Sequence, residues 1–208
     1  MPIITSIKAQ KNLPRRQAGQ KRVNIFLDGE FSFGLDLENF MKLGLKVNQE
    51  LTEEEKNEII KKGELQKCFD KTLRFVMTRP RSLKEVKDYF RRKEVDISLH
   101  QNILDRLTKL ELLDDQKFAK WWVEQRLEFK SKSKKDITYE LRQKGVDSNT
   151  IKNVLDDSGI DEIKIANDLI AKKSYKWQKY EDKVRKQKIT QYLAGKGFDW
   201  NIINDVLK

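Results

Sequence analysis

The sequence predicts a mainly α-helical protein, built from tandem three-helix repeats that form an elongated, curved array after a small antiparallel β-sheet and a helix. Three observations support this fold class. One motif occurs three times after about residue 64, a β-hairpin pattern precedes it, and only 3 of the 208 residues are proline. Because proline breaks helices, so few of them leave long helical stretches uninterrupted.

Residues 22–35 have the pattern of a β-hairpin. Two short β-prone runs flank Asp28-Gly29. This dipeptide is favoured in two-residue hairpin turns because both positions take a positive φ. Residues 3–9 are a candidate third strand, with residues 13–20 as the connecting loop.

Two helices follow the hairpin in the sequence. A short one is predicted over 36–45, ending near Gly44. The next is predicted over 51–62, with Thr52 as its N-cap and three acidic residues in its first turn, where the helix dipole favours them. We therefore expect an N-terminal sheet-and-helix segment over residues 1–63.

A helix–stop–helix motif recurs as "VKDYFRRKEVD" (86–96), "ITYELRQKGVD" (137–147) and "ITQYLAGKGFD" (189–199). In each copy an aliphatic residue and an apolar residue four positions later mark the buried face of a helix. A glycine past that helix suits a left-handed C′ position, an apolar residue follows, and an aspartate caps the next helix. The first copy has Glu94 in place of the glycine.

Another helix precedes each copy of the motif. Its core positions recur at a spacing of 47 residues, at positions 75, 122 and 169. These markers predict three-helix repeats over 64–110, 114–158 and 161–208. Each repeat is short for an independent core, so we expect neighbours to stack against one another.

The net charge of +11 lies in the repeats, since residues 1–60 carry nine basic and nine acidic residues. Such a surplus favours nucleic acid or an acidic protein surface as a partner. A solvated surface on a helical protein explains the charge equally well.

Several function classes are excluded or disfavoured. The single Cys68 excludes an internal disulfide, and the single His100 excludes a multi-histidine metal site. No apolar run can span a bilayer, and the N-terminal residues do not have the pattern of a signal peptide. No paired carboxylates or catalytic triad are found. We therefore expect a cytoplasmic, monomeric protein that is not an enzyme and has no cofactor.

The stretch Gly195-Lys196-Gly197 has some features of a phosphate-binding loop. A P-loop, however, needs G-x-x-x-x-G-K-[ST] between a strand and a helix. Here a helical pattern precedes the stretch and a glycine follows Lys196. Its place in the third copy of the motif indicates a helix stop.

The tryptophans divide into core and undecided positions. Trp122 matches a repeated core position. Trp121 packs between repeats or lies at an interface. Trp177 and Trp200 are open between inter-helix packing and stacking on single-stranded bases.

The repeats resemble the RecX family, the bacterial modulators of the recombinase RecA. The resemblance rests on "RPRSLKEVKDYF" (79–90), "LLDDQKFAKWWVEQR" (112–126) and "ELRQKGVD" (140–147), and it covers residues 64–208. The front segment resembles the extension of longer members. The resemblance implies a protein without chemistry of its own. Such a protein binds the RecA filament on DNA along its helical groove, and inhibits its ATPase, strand-exchange and co-protease activities in recombination and repair.

Basic residues recur near the start of the middle helix of each repeat. Ser82 and Ser133 are the predicted N-caps of the first two of these helices, each with an acidic residue three positions later. Because the helix dipole does not favour cations there, we hypothesise a basic stripe that contacts the filament or its DNA. The alternative is a solvated face. The candidates near the helix starts are Arg79, Arg81, Lys130, Lys132, Lys134, Lys135, Lys183, Arg185 and Lys186. Two further candidates, Lys144 and Lys196, are lysines that recur at the helix stop of the motif.

A second function also fits these patterns. A helix–stop–helix unit with a basic helix start resembles helix-turn-helix readers of DNA. The alternative is therefore a helical-repeat protein that binds single- or double-stranded nucleic acid without RecA.

Overall fold

A computed structural model describes residues 1–10 and 22–208, apart from the side chains of residues 129 and 130. The loop expected over 13–20 lies outside the described residues. The described chain divides into two units, Met1–Arg74 and Phe75–Lys208. None of the helices in the described part combines the length and apolar character that crossing a bilayer requires.

The first unit contains a three-stranded antiparallel sheet in the order β1-β2-β3. Its strands are β1 (Ile4–Ala9), β2 (Arg22–Leu27) and β3 (Glu30–Asp36). Asp28 and Gly29 join β2 to β3 with φ angles of 49° and 90°. The predicted hairpin, its turn and the third strand are therefore confirmed.

Two helices follow the sheet, α1 (Leu37–Leu43) and α2 (Glu53–Met77). Gly44 ends α1 with a left-handed φ of 60°. Thr52 caps α2, since its Oγ1 accepts from the Glu55 N–H at 3.1 Å while its own N–H donates to Glu55 Oε2 at 2.8 Å. Both predicted helices are confirmed.

Helix α2 is longer than its predicted span of 51–62. Gly63 lies inside the helix, and a Cβ there would come within 2.9 Å of Leu35 Cδ2. This glycine permits a close approach of helix and sheet, and does not end the helix. The N-terminal half of α2 covers the sheet. The buried residues of this core are Ile4, Val23, Ile25, Leu27, Phe33, Leu35, Leu45, Leu51 and Ile59.

The second unit is helical throughout its regular elements. They are α3 (Leu83–Arg92), α4 (Ile97–Lys109), α5 (Asp115–Lys130), α6 (Lys134–Gln143), α7 (Ser148–Asp157), α8 (Glu162–Lys173), a 3-10 turn (Ser174–Lys176), α9 (Asp182–Ala194) and α10 (Trp200–Leu207). We propose that the end of α2 with α3 and α4, then α5–α7, then α8–α10 are the three repeats.

The helix stop of the motif has the same hydrogen bonds in all three copies. The N–H after the stop residue donates to the carbonyl five residues earlier, at 3.0 to 3.2 Å. The stop residues Glu94, Gly145 and Gly197 take φ angles of 50°, 80° and 77°. This arrangement is a Schellman motif, and it confirms the predicted helix stop, including that of Gly197. The predicted aspartate N-caps are also confirmed, at Asp96, Asp147 and Asp199.

The apolar positions of the motif form the repeat cores. The paired positions four residues apart in α3, α6 and α9 are all buried, at Val86, Phe90, Ile137, Leu141, Ile189 and Leu193. Trp122 is buried in the core of the second repeat, and Trp177 in that of the third. Trp200 is 60% exposed.

Glu94 generates a prediction about stability. A side chain at positive φ costs about 1–2 kcal/mol, and glycine removes this cost while loosening the unfolded chain. We expect Glu94→Gly to raise the free energy of unfolding by about 0.5–1 kcal/mol, measured by urea unfolding with far-UV circular dichroism. Glu94→Ala removes the charge but keeps the strained φ, so it should have little effect. Equal stabilisation by both variants would contradict the role of the backbone angle.

Candidate partner-binding surface

The middle helices of the first two repeats, α3 and α6, each begin at a fully buried serine. Ser82 and Ser133 are both 0% exposed. Each Oγ accepts a hydrogen bond from the backbone N–H three residues later, at 3.2 Å from Glu85 and 3.2 Å from Asp136. These bonds satisfy N–H groups that a helix start leaves without a partner, so both predicted N-caps are confirmed.

The same two hydroxyl groups donate hydrogen bonds to the following repeat. Ser82 Oγ donates to the carbonyl oxygen of Lys144 at 2.7 Å, and Ser133 Oγ donates to that of Lys196 at 3.0 Å. A hydroxyl has one donor and two acceptor sites, so one serine can cap its own helix and bind another. We call these two contacts the serine junctions. In each, the end of one middle helix meets the start of the preceding one.

An acidic side chain completes each serine junction. The Leu83 N–H donates to Asp115 Oδ1 at 2.8 Å, and the Lys134 N–H donates to Glu162 Oε1 at 2.9 Å. Asp115 and Glu162 are the first residues of α5 and α8, so they hold the same place in successive repeats. Carboxylates and a helix C-terminus both bring negative charge to a helix start, which the helix dipole favours.

The two glycine stops are needed for close approach at the serine junctions as well as for backbone conformation. A Cβ on Gly145 would lie 2.7 Å from Lys84 Cβ, and one on Gly197 would lie 2.8 Å from Ser133 Oγ. Real Cβ atoms essentially never come so close to another heavy atom. Any side chain at these positions would therefore push the two repeats apart.

The third repeat departs from this pattern. Arg185 stands four residues before the buried Ile189 of α9, the place that Ser133 holds before Ile137 in α6. Helix α9 begins earlier, at Asp182, and its N-cap Glu181 makes no side-chain capping bond. The basic residues predicted at this helix start therefore lie within the first turns of α9, and the described chain has no serine junction there.

Four of the predicted basic residues are engaged by neighbouring side chains. Arg79 forms two bonds of 2.9 Å to the Glu85 carboxylate, and Lys144 Nζ donates to Glu85 Oε1 at 2.6 Å. Lys132 Nζ lies 2.9 Å from Asp136 Oδ2 and 3.5 Å from Glu140 Oε1. Of these pairs, Lys144 with Glu85 joins the first and second repeats, and the others lie within one repeat.

The fourth engaged residue is Arg81, which stacks on an aromatic ring, and Arg79 also lies near one. The Arg81 guanidinium lies 4.0 Å from the centre of the Phe75 ring, and that of Arg79 lies 5.6 Å from the Trp121 ring. Trp121 also packs against the core of the second repeat, so in the described residues it lies between repeats. Such cation–π contacts fix the side chains in place.

The other predicted basic residues are more open to solvent. Lys134 and Arg185 are half-buried, and Arg185 forms an ion pair with Asp182. Lys130 ends α5, and its side chain lies outside the described residues. The exposed ones are Lys135, Lys183, Lys186 and Lys196. We call these four residues the exposed lysine set.

Glu85 and Glu140 bind several cationic side chains, and both carboxyl groups have a lowered pKa. Burial opposes ionisation of Glu85, but its bonds to Arg79 and Lys144 outweigh burial and lower the pKa of Glu85 below its ordinary value. Burial likewise opposes ionisation of Glu140, and bonds from Arg126 and the Trp122 indole lower its pKa overall. Both carboxylates are therefore ionised at neutral pH.

The structure also contains a surface that the sequence reasoning missed. A groove in the third repeat is lined by Tyr175, Lys176, Trp177, Lys179, Tyr180 and Lys188, among others. We call it the third-repeat groove. The signal in the sequence is "SYKWQKY" (174–180), where aromatic and basic residues are interleaved. Such interleaving is typical of single-stranded nucleic-acid binding.

The serine junctions generate a prediction that separates capping from docking. Ser82→Ala removes the cap and leaves the Lys144 carbonyl without its donor, so the free energy of unfolding should fall by about 2–3 kcal/mol. Aspartate caps helices as well as serine but cannot donate to a carbonyl. We therefore expect Ser82→Asp to destabilise at least as much as Ser82→Ala in urea unfolding.

Thr52→Asp is the matched control, because Thr52 caps α2 without a second bond of this kind among the described contacts. It should leave stability nearly unchanged. A Ser82→Asp variant as stable as the wild type would show that Ser82 acts only as a cap.

Glu85 generates a prediction about pH. Because its folded-state pKa is lowered, its ionisation contributes stability above the ordinary glutamate range, and that contribution is lost as pH falls through the lowered value. We expect Glu85→Gln to reduce the free energy of unfolding by about 1–3 kcal/mol at neutral pH, and by progressively less on acidification.

The control for this measurement is Glu111→Gln. Glu111 also has a lowered pKa, caused by Lys117, but this pair is exposed. Exposed ion pairs contribute little to stability, so this variant should be near neutral at moderate salt. A difference between wild type and Glu85→Gln that does not change with pH would contradict the assignment.

Comparison with known proteins places this arrangement in a family. Three family models match the chain: the Regulatory protein RecX N-terminal domain over residues 2–52, the RecX second three-helix domain over 114–155, and the RecX third three-helix domain over 160–207. The sheet-bearing segment and two of the repeats thus match separately described domains.

Curated relatives cover the whole chain. The Regulatory protein RecX of Bacillus licheniformis is 35% identical over 100% of this chain and 77% of its own length. That of Bacillus subtilis is 33% identical over 98% of this chain and 75% of its own length.

Solved structures share the fold. A crystal structure of regulatory protein RecX has a TM-score of 0.77 at 23% identity, covering 99% of this chain and 98% of that one. The crystal structure of RecX from Lactobacillus salivarius has a TM-score of 0.64 at 25% identity, over 69% of this chain and 94% of that one. The chain, with its N-terminal sheet and its stacked three-helix repeats, belongs to the RecX family of regulatory proteins.

Proposed function

We propose that this chain binds the RecA filament on DNA and inhibits its ATPase, strand-exchange and co-protease activities. The observation that carries the proposal is membership of the RecX family over the full chain, with relatives named regulatory proteins. In this proposal the chain is a cytoplasmic monomer that performs no chemistry. Its repeats, proposed over 64–110, 114–158 and 161–208, contact the filament.

Charge supports a filament as the partner. The chain carries a net charge of +11, and a filament wound on DNA presents phosphates and protein surface together. The engaged cations Arg79, Arg81, Lys132 and Lys144 already have partners inside the repeats. The exposed lysine set keeps its charge available to another molecule, so we assign the contact with the filament to it.

The order of the repeats supports a surface that spans more than one of them. Lys135 lies in the first turn of α6, Lys183 and Lys186 lie in the first turns of α9, and Lys196 lies at the end of that helix. The second serine junction joins the start of α6 to the carbonyl of Lys196. The start of α6, with Lys135, is therefore held next to Lys196, and α9 carries the other two lysines of the set.

The alternative is a helical-repeat protein that binds nucleic acid without RecA. The third-repeat groove favours it, because its aromatic and basic residues suit bare single strands. Under this alternative the family fold would serve a function that is independent of recombinase filaments.

A capture experiment separates the two functions. Immobilised chain is incubated with purified RecA, with single-stranded DNA, or with both plus a non-hydrolysable ATP analogue. The proposed function predicts strong capture of assembled filaments, well above capture of either component alone. Equal capture of DNA with and without RecA, falling steeply with salt, would support the alternative.

Charge variants test where the contact lies. Changing Lys135, Lys183, Lys186 and Lys196 together to glutamine should weaken filament capture by about tenfold without changing stability. The matched control changes four exposed lysines of other helices, Lys120, Lys152, Lys164 and Lys172, to glutamine. Both variants lose the same net charge, so equal effects would show that overall charge, and not the exposed lysine set, governs binding.

A further inference from the structure

The third-repeat groove has a volume of about 740 Å³ and lies along the segment that follows α8. Its floor is formed by Trp177, which is 7% exposed and part of the repeat core. The Trp177 and Tyr192 ring centres lie 5.4 Å apart and the rings are tilted by 55°. The floor is therefore a packed aromatic surface whose position is fixed by the core.

Two further tyrosines line the groove and are not part of the buried core. Tyr175 is 67% exposed, and Tyr180 is half-buried. Neither belongs to the buried cluster of this repeat. An exposed aromatic ring contributes little stabilisation through burial, whereas its face can stack on a planar ligand.

Lysines accompany each ring. Lys176 Nζ lies 5.9 Å from the centre of Tyr175, and Lys179 and Lys188 lie 5.3 Å and 4.7 Å from that of Tyr180. Of the described residues that line the groove, none is a carboxylate. The groove therefore brings lysine charges and aromatic rings together on one surface.

We propose that the third-repeat groove binds single-stranded nucleic acid. Bases stack on Tyr175 and Tyr180 while the backbone phosphates contact Lys176, Lys179 and Lys188. A duplex keeps its bases stacked on one another, so it cannot offer them to the rings. An acidic protein surface would pair with the lysines but leaves the exposed tyrosines without a role.

The inference goes beyond the proposed function, because the groove binds a strand when no RecA is present. A failure of filament capture therefore leaves it standing, and a failure of the groove leaves filament capture standing. The two can be measured on the same protein preparation.

The test is fluorescence anisotropy of a labelled oligothymidine of about 16 nucleotides, titrated with the full chain in the absence of RecA. Tyr175→Ala and Tyr180→Ala should each weaken binding about tenfold. Tyr175→Phe keeps the ring and should bind within about twofold of wild type. Since each lost phosphate contact on a single strand reduces the salt slope by about 0.7, Lys176→Gln with Lys179→Gln should reduce it by about 1.4.

The controls change an aromatic residue and a lysine that lie outside the groove. Trp200→Ala removes a 60% exposed aromatic residue outside the groove, and Lys152→Gln removes an exposed charge on α7. Neither should change the affinity or the salt slope. Circular dichroism and thermal unfolding verify that each variant is folded, which is expected for Tyr175 because its side chain is exposed.

Three outcomes would overturn the inference. The first is that the wild type does not bind the oligonucleotide at low salt. The second is that the tyrosine variants bind as tightly as wild type, so that stacking plays no part. The third is that the groove variants keep oligonucleotide affinity but lose filament capture, which would assign the groove to an acidic protein surface.

Discussion

Two buried serine hydroxyls determine how the repeats of this protein fit together. Each one accepts a bond from its own helix and donates one to the last turn of the next repeat's middle helix. The side chain must be small, must accept and must donate, and serine meets all three requirements. The glycine stops Gly145 and Gly197 follow from the same contact, because a Cβ at either would collide with the preceding repeat.

The serine junctions also explain why the basic residues of the repeats are not equivalent. Around the first junction, Arg79 and Lys144 both form ion pairs with the carboxylate of Glu85. The pair with Lys144 holds the first two repeats in register. Removing either would leave a largely buried carboxylate with fewer donors. Among the described contacts, the exposed lysine set forms no ion pair of this kind. We assign the proposed contact with an anionic partner to these lysines, whose side chains make no contact between repeats among those described.

Local chemistry made most of the fold predictable from the sequence. Asp28-Gly29, Thr52, the aspartate caps and the glycine stops act through backbone groups within a few residues, so pattern alone locates them. The predicted span of α2 stopped at residue 62, whereas the helix continues through Gly63, which fits against Leu35 of the sheet. The early start of α9 was also missed, since the basic residues of the third repeat gave no sign of a changed register.

The candidate surface was less predictable, because its contacts join residues far apart in the chain. Ser82 and Lys144 are 62 positions apart, and no spacing rule connects a cap with a distant carbonyl. The third-repeat groove brings together the segment after α8 and the outer face of α9 only when the repeat is folded. Recurring basic residues were visible in the sequence, but which of them form ion pairs was not.

We propose that this chain acts on RecA filaments. The most direct measurement is the ATPase rate of RecA on single-stranded DNA as the full chain is titrated in. We expect progressive inhibition that is essentially complete at or below one chain per RecA protomer. An ATPase rate that stays unchanged at equimolar chain, with the protein folded and RecA saturated with DNA and ATP, would contradict it.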